Sequence, residues 1–209
     1  MNIKRSVKIK ICGITSVEDA VAISQLGVDA MGCIMVKESS RYVTQEKVAE
    51  IFSSLPPFIA RVLVLVNEPI QSAMETAKYV KATCVQLHGE ETVEYCQQWN
   101  IPVIKAFRVS NREDLKKIEP YRSIINGILV DAYDESVRGG TGKTIAWDIF
   151  SDFKIKERLI LSGGLKLDNI QEALQKVQPY AVDINSGVEL SPGVKDIKKV
   201  QQILKMIRP

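Results

Sequence analysis

The chain alternates short apolar runs with amphipathic stretches, and this alternation constrains its fold more than any other feature. Strands are predicted at residues 7–14, 30–36, 59–66, 83–88, 102–109, 127–133, 158–164 and 181–188. Helical patterns separate or follow them, for example at residues 16–26, 44–55, 70–80 and 196–207. Strands and helices that alternate at this spacing require parallel pairing. Eight such units in 209 residues predict an α/β fold, a single-domain (β/α)8 TIM barrel spanning residues 1–209, with a doubly wound open sheet as the alternative.

Composition narrows the class of partner. The net charge of +3 is too small to indicate nucleic-acid binding, and it suits a small anionic substrate. No apolar run approaches the roughly 20 residues that span a bilayer, and the N-terminus lacks the apolar core of a secretory signal. With one histidine and no C-x-x-C pair, a zinc site is not expected. We expect a cytoplasmic protein with reduced cysteines, either a monomer or a homodimer.

Two polar residues end apolar strands where a parallel barrel builds its active site. By the two-residue period, Lys8, Lys10 and Cys12 share one face of the first strand, and a buried Lys10 would need an acidic partner. Cys12 is either a small core residue or, beside an ammonium that lowers its pKa, a base. Asp131 closes the sixth strand, where it is either a structural aspartate or a buried proton donor of raised pKa.

Glycines after the last two strands indicate a phosphate site. Gly163 and Gly164 follow the seventh strand, and Ser186 and Gly187 lie at the end of the eighth, with Asp183 before them. Backbone N–H groups without side-chain hindrance hold phosphates in many barrels. The segment at 137–144, VRGGTGKT, lacks the spacing of a P-loop because valine stands where the first glycine is required. A glycine-rich lid over the active site is the better interpretation.

Three further side chains are candidates for substrate contact. Arg41 lies in the loop after the second strand and could pair with a substrate carboxylate, or it could be an ordinary surface arginine. Gln86 and His88 share a face at the end of the fourth strand, where His88 either orients a ligand or forms a structural hydrogen bond.

Through these residues and the segments that contain them, the sequence resembles the phosphoribosylanthranilate isomerase family of tryptophan biosynthesis. The matching segments are KICGIT at 10–15, SRYV at 40–43, VNEP at 66–69, VQLHGEE at 85–91, KAFRV at 105–109, VDAY at 130–133, GGTGKT at 139–144, LSGGL at 161–165 and DINSGVELSPGVKD at 183–196. They occur in the family's order and cover almost the whole chain.

The resemblance implies a (β/α)8 isomerase that performs an Amadori rearrangement of N-(5-phosphoribosyl)anthranilate without cofactor or metal. Cys12 matches the family's general base and Asp131 its general acid. Arg41 matches the contact to the anthranilate carboxylate. The glycine and serine positions, Gly163, Gly164, Ser186 and Gly187, match the phosphate-binding amides.

The sequence departs from the family pattern at two places expected near the anthranilate ring. Residues 32–35, GCIM, replace a strand end that usually carries an aromatic residue, and Ser40 stands where proline commonly precedes the arginine. Two alternatives remain. One is a related Amadori isomerase of histidine biosynthesis, which typically uses two aspartates, or an enzyme with both activities. The other is a catalytically silent phosphate-binding barrel.

Overall fold

The computed structural model describes residues 6–131, 147–150 and 158–208. Eight parallel strands pair in sequence order, and β8 pairs with β1 to close a barrel. Closure confirms the predicted (β/α)8 fold and overturns the open-sheet alternative. The strands are β1 Lys8–Ile11, β2 Ala30–Ile34, β3 Ala60–Leu65, β4 Cys84–Leu87, β5 Val103–Arg108, β6 Gly127–Asp131, β7 Leu159–Ser162 and β8 Ala181–Ile184. A small antiparallel hairpin follows, of β9 Glu189–Ser191 and β10 Val194–Lys195.

Six α-helices lie among the described residues: α1 Val17–Ser24, α2 Gln45–Ser53, α3 Ile70–Tyr79, α4 Val93–Gln97, α5 Ile170–Val177 and α6 Ile197–Ile207. Their starts follow local chemistry, since side-chain oxygens at Ser16, Thr44 and Asp196 accept hydrogen bonds from backbone N–H groups of the first turn. The sequence DNIQEAL at 168–174 predicts that Asp168 caps a helix. This prediction is wrong, because Asn169 occupies the N-cap position and Asp168 instead pairs with Lys166.

Two crossovers differ from the expected strand–helix units. The segment after β5, Arg112–Tyr121, is a 3-10 helix, and the described part of the segment after β6 contains another at Trp147–Phe150. In the first of these, Pro120 removes a backbone donor and disfavours α-helical geometry at the residue before it.

Two predicted strands end early, and both ends matter for the site. β1 stops at Ile11 because Gly13 has a φ of 70°, outside the extended region. β8 stops at Ile184, and Ser186–Val188 form a 3-10 turn that leads into the hairpin. Each shortened strand therefore ends in a loop at the carboxyl end of the barrel.

The core has two layers. The larger cluster packs outward-facing strand residues against the helices, and a smaller one of Ala106, Leu129, Ile160 and Ala181 fills the barrel interior. Towards the carboxyl ends of the strands the interior becomes polar, with Lys10, Gln86 and Asp183 all buried. All four cysteines are buried free thiols. Among the described residues, no helix is long and apolar enough to cross a membrane.

Candidate active site

A cleft of about 310 Å³ opens at the carboxyl ends of the barrel strands. It collects every candidate residue of the sequence analysis except Gly187. Its lining comprises Cys12, Ile34, Arg41, Val64, Gln86, His88, Asp131, Ser162, Gly163, Gly164, Leu165, Asp183, Asn185 and Ser186. These residues come from seven strands or the loops after them, so only the closed barrel brings them together.

Lys10 lies buried beneath the cleft, where it contacts residues of the lining. Its Nζ is 2.8 Å from Asp183 Oδ2 on the neighbouring strand and 2.8 Å from Gln86 Oε1 across the barrel. The ammonium is 3% exposed and Asp183 4%, which confirms the expected acidic partner for a buried lysine. Burial opposes the charged form, but Asp183 and Cys12 together outweigh it and raise the pKa of Lys10. The floor of the cleft therefore carries a fixed positive charge beside a carboxylate.

The Cys12 thiol lies beside this ammonium and is buried. Gly32 on β2 makes room for both side chains, since a Cβ there would lie 2.9 Å from Cys12 Sγ and 3.1 Å from Lys10 Nζ. Burial raises the pKa of Cys12 above its ordinary value, while Lys10 lowers it by a smaller amount. The expected lowering by the ammonium is therefore present, but in the substrate-free protein the loss of solvent outweighs it.

Asp131 faces the same cleft from the end of β6. Its side chain is 26% exposed, so it is less buried than the sequence suggested. His88 Nε2 lies 3.6 Å from Asp131 Oδ2, and Gln86 Nε2 lies 3.2 Å from His88 Nδ1. A line of polar contacts thus runs across the barrel mouth from the charge beside Cys12 to Asp131.

Arg41 reaches the cleft from the loop after β2 and is held from behind by Glu189. Its Nε and one terminal nitrogen contact the Glu189 carboxylate at 2.9 and 2.7 Å. Lys195 donates at 2.8 Å to Glu189 Oε1, the oxygen that also accepts from Arg41 Nε, and at 2.9 Å to Asn185 Oδ1. Among the residues that the structure describes, the second terminal nitrogen of Arg41 has one contact, at 3.4 Å to the Ser40 hydroxyl. The guanidinium therefore has a fixed direction rather than the freedom of a surface arginine.

The contacts that hold Arg41 in place were not predicted from the sequence. Glu189 and Lys195 carried no predicted role because the hairpin that places them under Arg41 depends on the tertiary fold. The one available signal was two charged residues inside a segment of the resemblance, residues 183–196.

The two glycine loops meet at one side of the cleft. Gly163 and Gly164 have φ values of 94° and 63°, which a side chain would strain. Gly187 packs against the same loop, since a Cβ on it would lie 1.9 Å from the Leu165 carbonyl oxygen. Within the described residues, the backbone N–H groups of these glycines and of Ser186 donate no hydrogen bond to the protein. This corner of the cleft offers donors to a ligand.

The departures at residues 32–35 affect the cleft less than expected. Only Ile34 lines it; Cys33 and Met35 pack into the outer core, and Gly32 lies behind Cys12. Ile34 and Val64 form an apolar wall opposite the polar floor. The predicted lid at 137–144 lies outside the described residues, as does the end of the sixth predicted strand.

A family model described as N-(5′-phosphoribosyl)anthranilate (PRA) isomerase matches residues 9–206. The chain belongs to this family. A curated N-(5′-phosphoribosyl)anthranilate isomerase from Pelobacter propionicus is 43% identical over 202 residues, which are 97% of this chain and 96% of that protein. The resemblance seen in the sequence is thereby confirmed.

Solved structures of the family superpose on the barrel. Phosphoribosyl anthranilate isomerase from Thermotoga maritima has a TM-score of 0.89 at 40% identity, over 97% of this chain and 98% of that one. A second structure, in complex with reduced 1-(o-carboxyphenylamino)-1-deoxyribulose 5-phosphate, has a TM-score of 0.84 at 39% identity, over 95% and 97%. A third, described as mutually generated monomers of a dimeric Thermotoga maritima isomerase, has a TM-score of 0.82 at 37% identity, over 97% and 98%.

Proposed function

We infer that this chain catalyses the isomerisation of N-(5′-phosphoribosyl)anthranilate to 1-(2-carboxyphenylamino)-1-deoxyribulose 5-phosphate, a step of tryptophan biosynthesis. The observation that carries the inference is one cleft that combines a thiol, a carboxyl group, a fixed arginine and two glycine loops, in a member of this family. A solved relative binds a reduced form of that product, which has the same phosphate and carboxylate ends.

The chemistry needs one acid and one base. Asp131 would protonate the ring oxygen of the ribose, so that the furanose opens to an iminium. Cys12 as thiolate would then remove the C2′ proton, which gives an enolamine that tautomerises to the ketose. The Lys10 ammonium stands beside Cys12 to stabilise the thiolate while it exists. Cys12 acts here as a proton acceptor and not as a covalent nucleophile.

Substrate binding would use both ends of the cleft. The free N–H groups of the glycine loops suit the phosphate, and the open nitrogen of Arg41 suits the anthranilate carboxylate. Asp183 Oδ1 is buried without a hydrogen-bond partner among the described residues. Because such an oxygen costs free energy when unsatisfied, a sugar hydroxyl is the partner we assign to it.

The test follows anthranilate fluorescence as purified protein meets freshly generated phosphoribosylanthranilate. Turnover above the spontaneous background is expected, and its absence would refute the proposed isomerase activity. Because general acid–base catalysis contributes about 10²–10⁴-fold, Cys12→Ser and Asp131→Asn should each lower kcat by that order. Cys33→Ser is the matched control for the first variant, since Cys33 is also buried but points into the outer core. Near-wild-type turnover in either catalytic variant would remove that residue from the mechanism.

The proposal extends to assembly and location. A homodimer is supported by the relative described as dimeric, and sedimentation over a range of concentrations tests it directly. A cytoplasmic location is supported by four buried free thiols, which a reducing compartment maintains.

A further inference from the structure

The buried lysine determines which way the Gln86 amide points. An ammonium can only donate hydrogen bonds, so the Gln86 atom 2.8 Å from Lys10 Nζ must be the carbonyl oxygen, Oε1. Gln86 is 1% exposed and Lys10 is held from its other side by Asp183, so neither side chain is free to turn away. The amide nitrogen of Gln86 consequently faces His88.

The orientation of Gln86 in turn determines the tautomer of His88. The Gln86 amide nitrogen carries only donor hydrogens, and it lies 3.2 Å from His88 Nδ1. A nitrogen that accepts this hydrogen bond cannot carry a proton, so the proton of a neutral imidazole must be on Nε2. Nε2 is the atom that lies 3.6 Å from Asp131 Oδ2.

We propose that the Lys10–Gln86 pair locks His88 in the Nε2–H form, so that His88 positions Asp131 as a hydrogen-bond donor and cannot accept its proton. The inference rests on the proposed role of Asp131 as the general acid. At 3.6 Å the contact is longer than a hydrogen bond, as catalytic contacts often are before substrate binds.

The tautomer of His88 matters because the other form, with the proton on Nδ1, would compete with the substrate for the proton of Asp131. With the proton on Nδ1, Nε2 would be an acceptor facing the acid, and the Asp131 proton would be drawn to the imidazole rather than to the ribose ring oxygen. A donor at Oδ2 instead leaves the proton of Asp131 on its other carboxyl oxygen, Oδ1, from which it can be given to the ribose ring. His88 is thus a positioning residue, and Gln86 acts through it.

The tautomer can be read directly because His88 is the only histidine in the chain. In protein labelled with ¹⁵N-histidine, long-range ¹H–¹⁵N correlation spectra contain one imidazole and show which nitrogen is protonated. At pH about 8, the proposal predicts a protonated Nε2 and an unprotonated Nδ1. A spectrum with Nδ1 protonated, alone or together with Nε2, would overturn the proposal.

Gln86→Glu reverses the logic, because a carboxylate offers only acceptors to Nδ1. The variant should switch the tautomer to Nδ1–H and lower kcat by about tenfold or more, with a smaller change in KM, since the acid acts in the chemical step. Gln98→Glu makes the same change at an exposed position and should alter neither readout. A switched tautomer with unchanged kcat would overturn the proposal.

A second pair of variants keeps the test open if Gln86→Glu does not fold. His88→Gln retains an N–H near the Nε2 position and should keep kcat within about tenfold of wild type, whereas His88→Leu should fall further. Equal kcat in both variants would count against the positioning role. Wild-type kcat in Asp131→Asn would refute the proposed acid instead, and it would leave the observed tautomer unaffected.

Discussion

At the scale of single residues, the site turns on a conflict between burial and charge at Cys12. Loss of solvent disfavours the thiolate, and the neighbouring ammonium of Lys10 recovers only part of that cost. The same ammonium is held charged by Asp183, so it cannot itself act as the proton acceptor at neutral pH. Because Lys10 stays charged and cannot accept a proton, Cys12 is the group whose ionisation limits the proposed reaction.

We therefore expect kcat/KM to rise with pH through the range in which Cys12 ionises, above the ordinary thiol value. The sign follows from the raised pKa, because a higher pH increases the small thiolate fraction that acts as base. Pre-steady-state and steady-state fluorescence assays across pH measure this limb. In Cys12→Asp the base would be a carboxylate, and the limb should move to acidic pH. The same alkaline limb in both proteins would assign it to another group.

Residue-level inference from sequence succeeded where a residue's neighbours follow from strand alternation. The acidic partner of Lys10 was predictable because any lysine on an inward face needs one, although Asp183 lies 173 positions away. The net direction of the Cys12 pKa was not predictable, since it depends on how completely Gly32 and the barrel wall exclude water from the thiol. The sequence also suggested that Asp131 is more buried than it is, because the exposed fraction of its side chain depends on the tertiary packing around the cleft.

At the scale of elements, the strands were predictable and their ends were not. All eight barrel strands lie within the predicted ranges, because continuous apolar runs define strands covered on both faces. The ends fail at Gly13 and after Ile184, where backbone geometry rather than hydrophobicity stops the strand. The β9–β10 hairpin was missed altogether, and with it the Glu189 support for Arg41.

That hairpin makes a prediction about acid stability. Burial alone would raise the pKa of Glu189, but hydrogen bonds from Arg41 and Lys195 lower it to about 2. Because the folded-state pKa lies below the ordinary 4.5, the carboxylate stabilises the fold above about pH 4.5, and this contribution is lost as pH falls towards 2. Glu189→Gln should cost about 3–5 kcal/mol at neutral pH, since it leaves buried Lys195 unpaired.

Thermal or urea unfolding from pH 7 to pH 2 measures the difference between wild type and Glu189→Gln. The difference in free energy of unfolding should be largest at neutral pH. It should shrink towards pH 2, where the Glu189 carboxylate is protonated and becomes neutral like glutamine. Glu113→Gln is the matched control, because Glu113 pairs with Lys116 on the surface with 77% of its side chain exposed. A difference that stays constant down to pH 2 would contradict the assigned pKa.

At the scale of the whole molecule, the two ends of the barrel differ in role: the residues of the proposed reaction lie at one end, and contacts that stabilise the fold lie at the other. The cleft occupies the carboxyl ends of the strands, while the opposite end joins the two termini of the described chain. There the Arg208 guanidinium donates to the Val7 carbonyl oxygen at 2.9 Å and to the Gly27 carbonyl oxygen at 2.8 Å, and it pairs with Asp29. Asp29 also binds Lys8 and the Ile9 N–H, both at 2.8 Å.

Arg208 therefore fastens the end of α6 to the start of β1, next to the seam where β8 closes the barrel. Arg208→Ala should lower the free energy of unfolding by about 1–3 kcal/mol, because it removes charge-assisted hydrogen bonds and leaves Asp29 with fewer partners. The kcat should stay unchanged, since the described contacts of Arg208, to Val7, Gly27 and Asp29, all lie away from the cleft. Arg208→Lys should recover little of the loss, because one ammonium cannot reproduce a guanidinium fork that binds three groups at once. Urea unfolding and the fluorescence assay on the same preparations decide the matter, and a fall in kcat with unchanged stability would show that the two ends of the barrel are coupled.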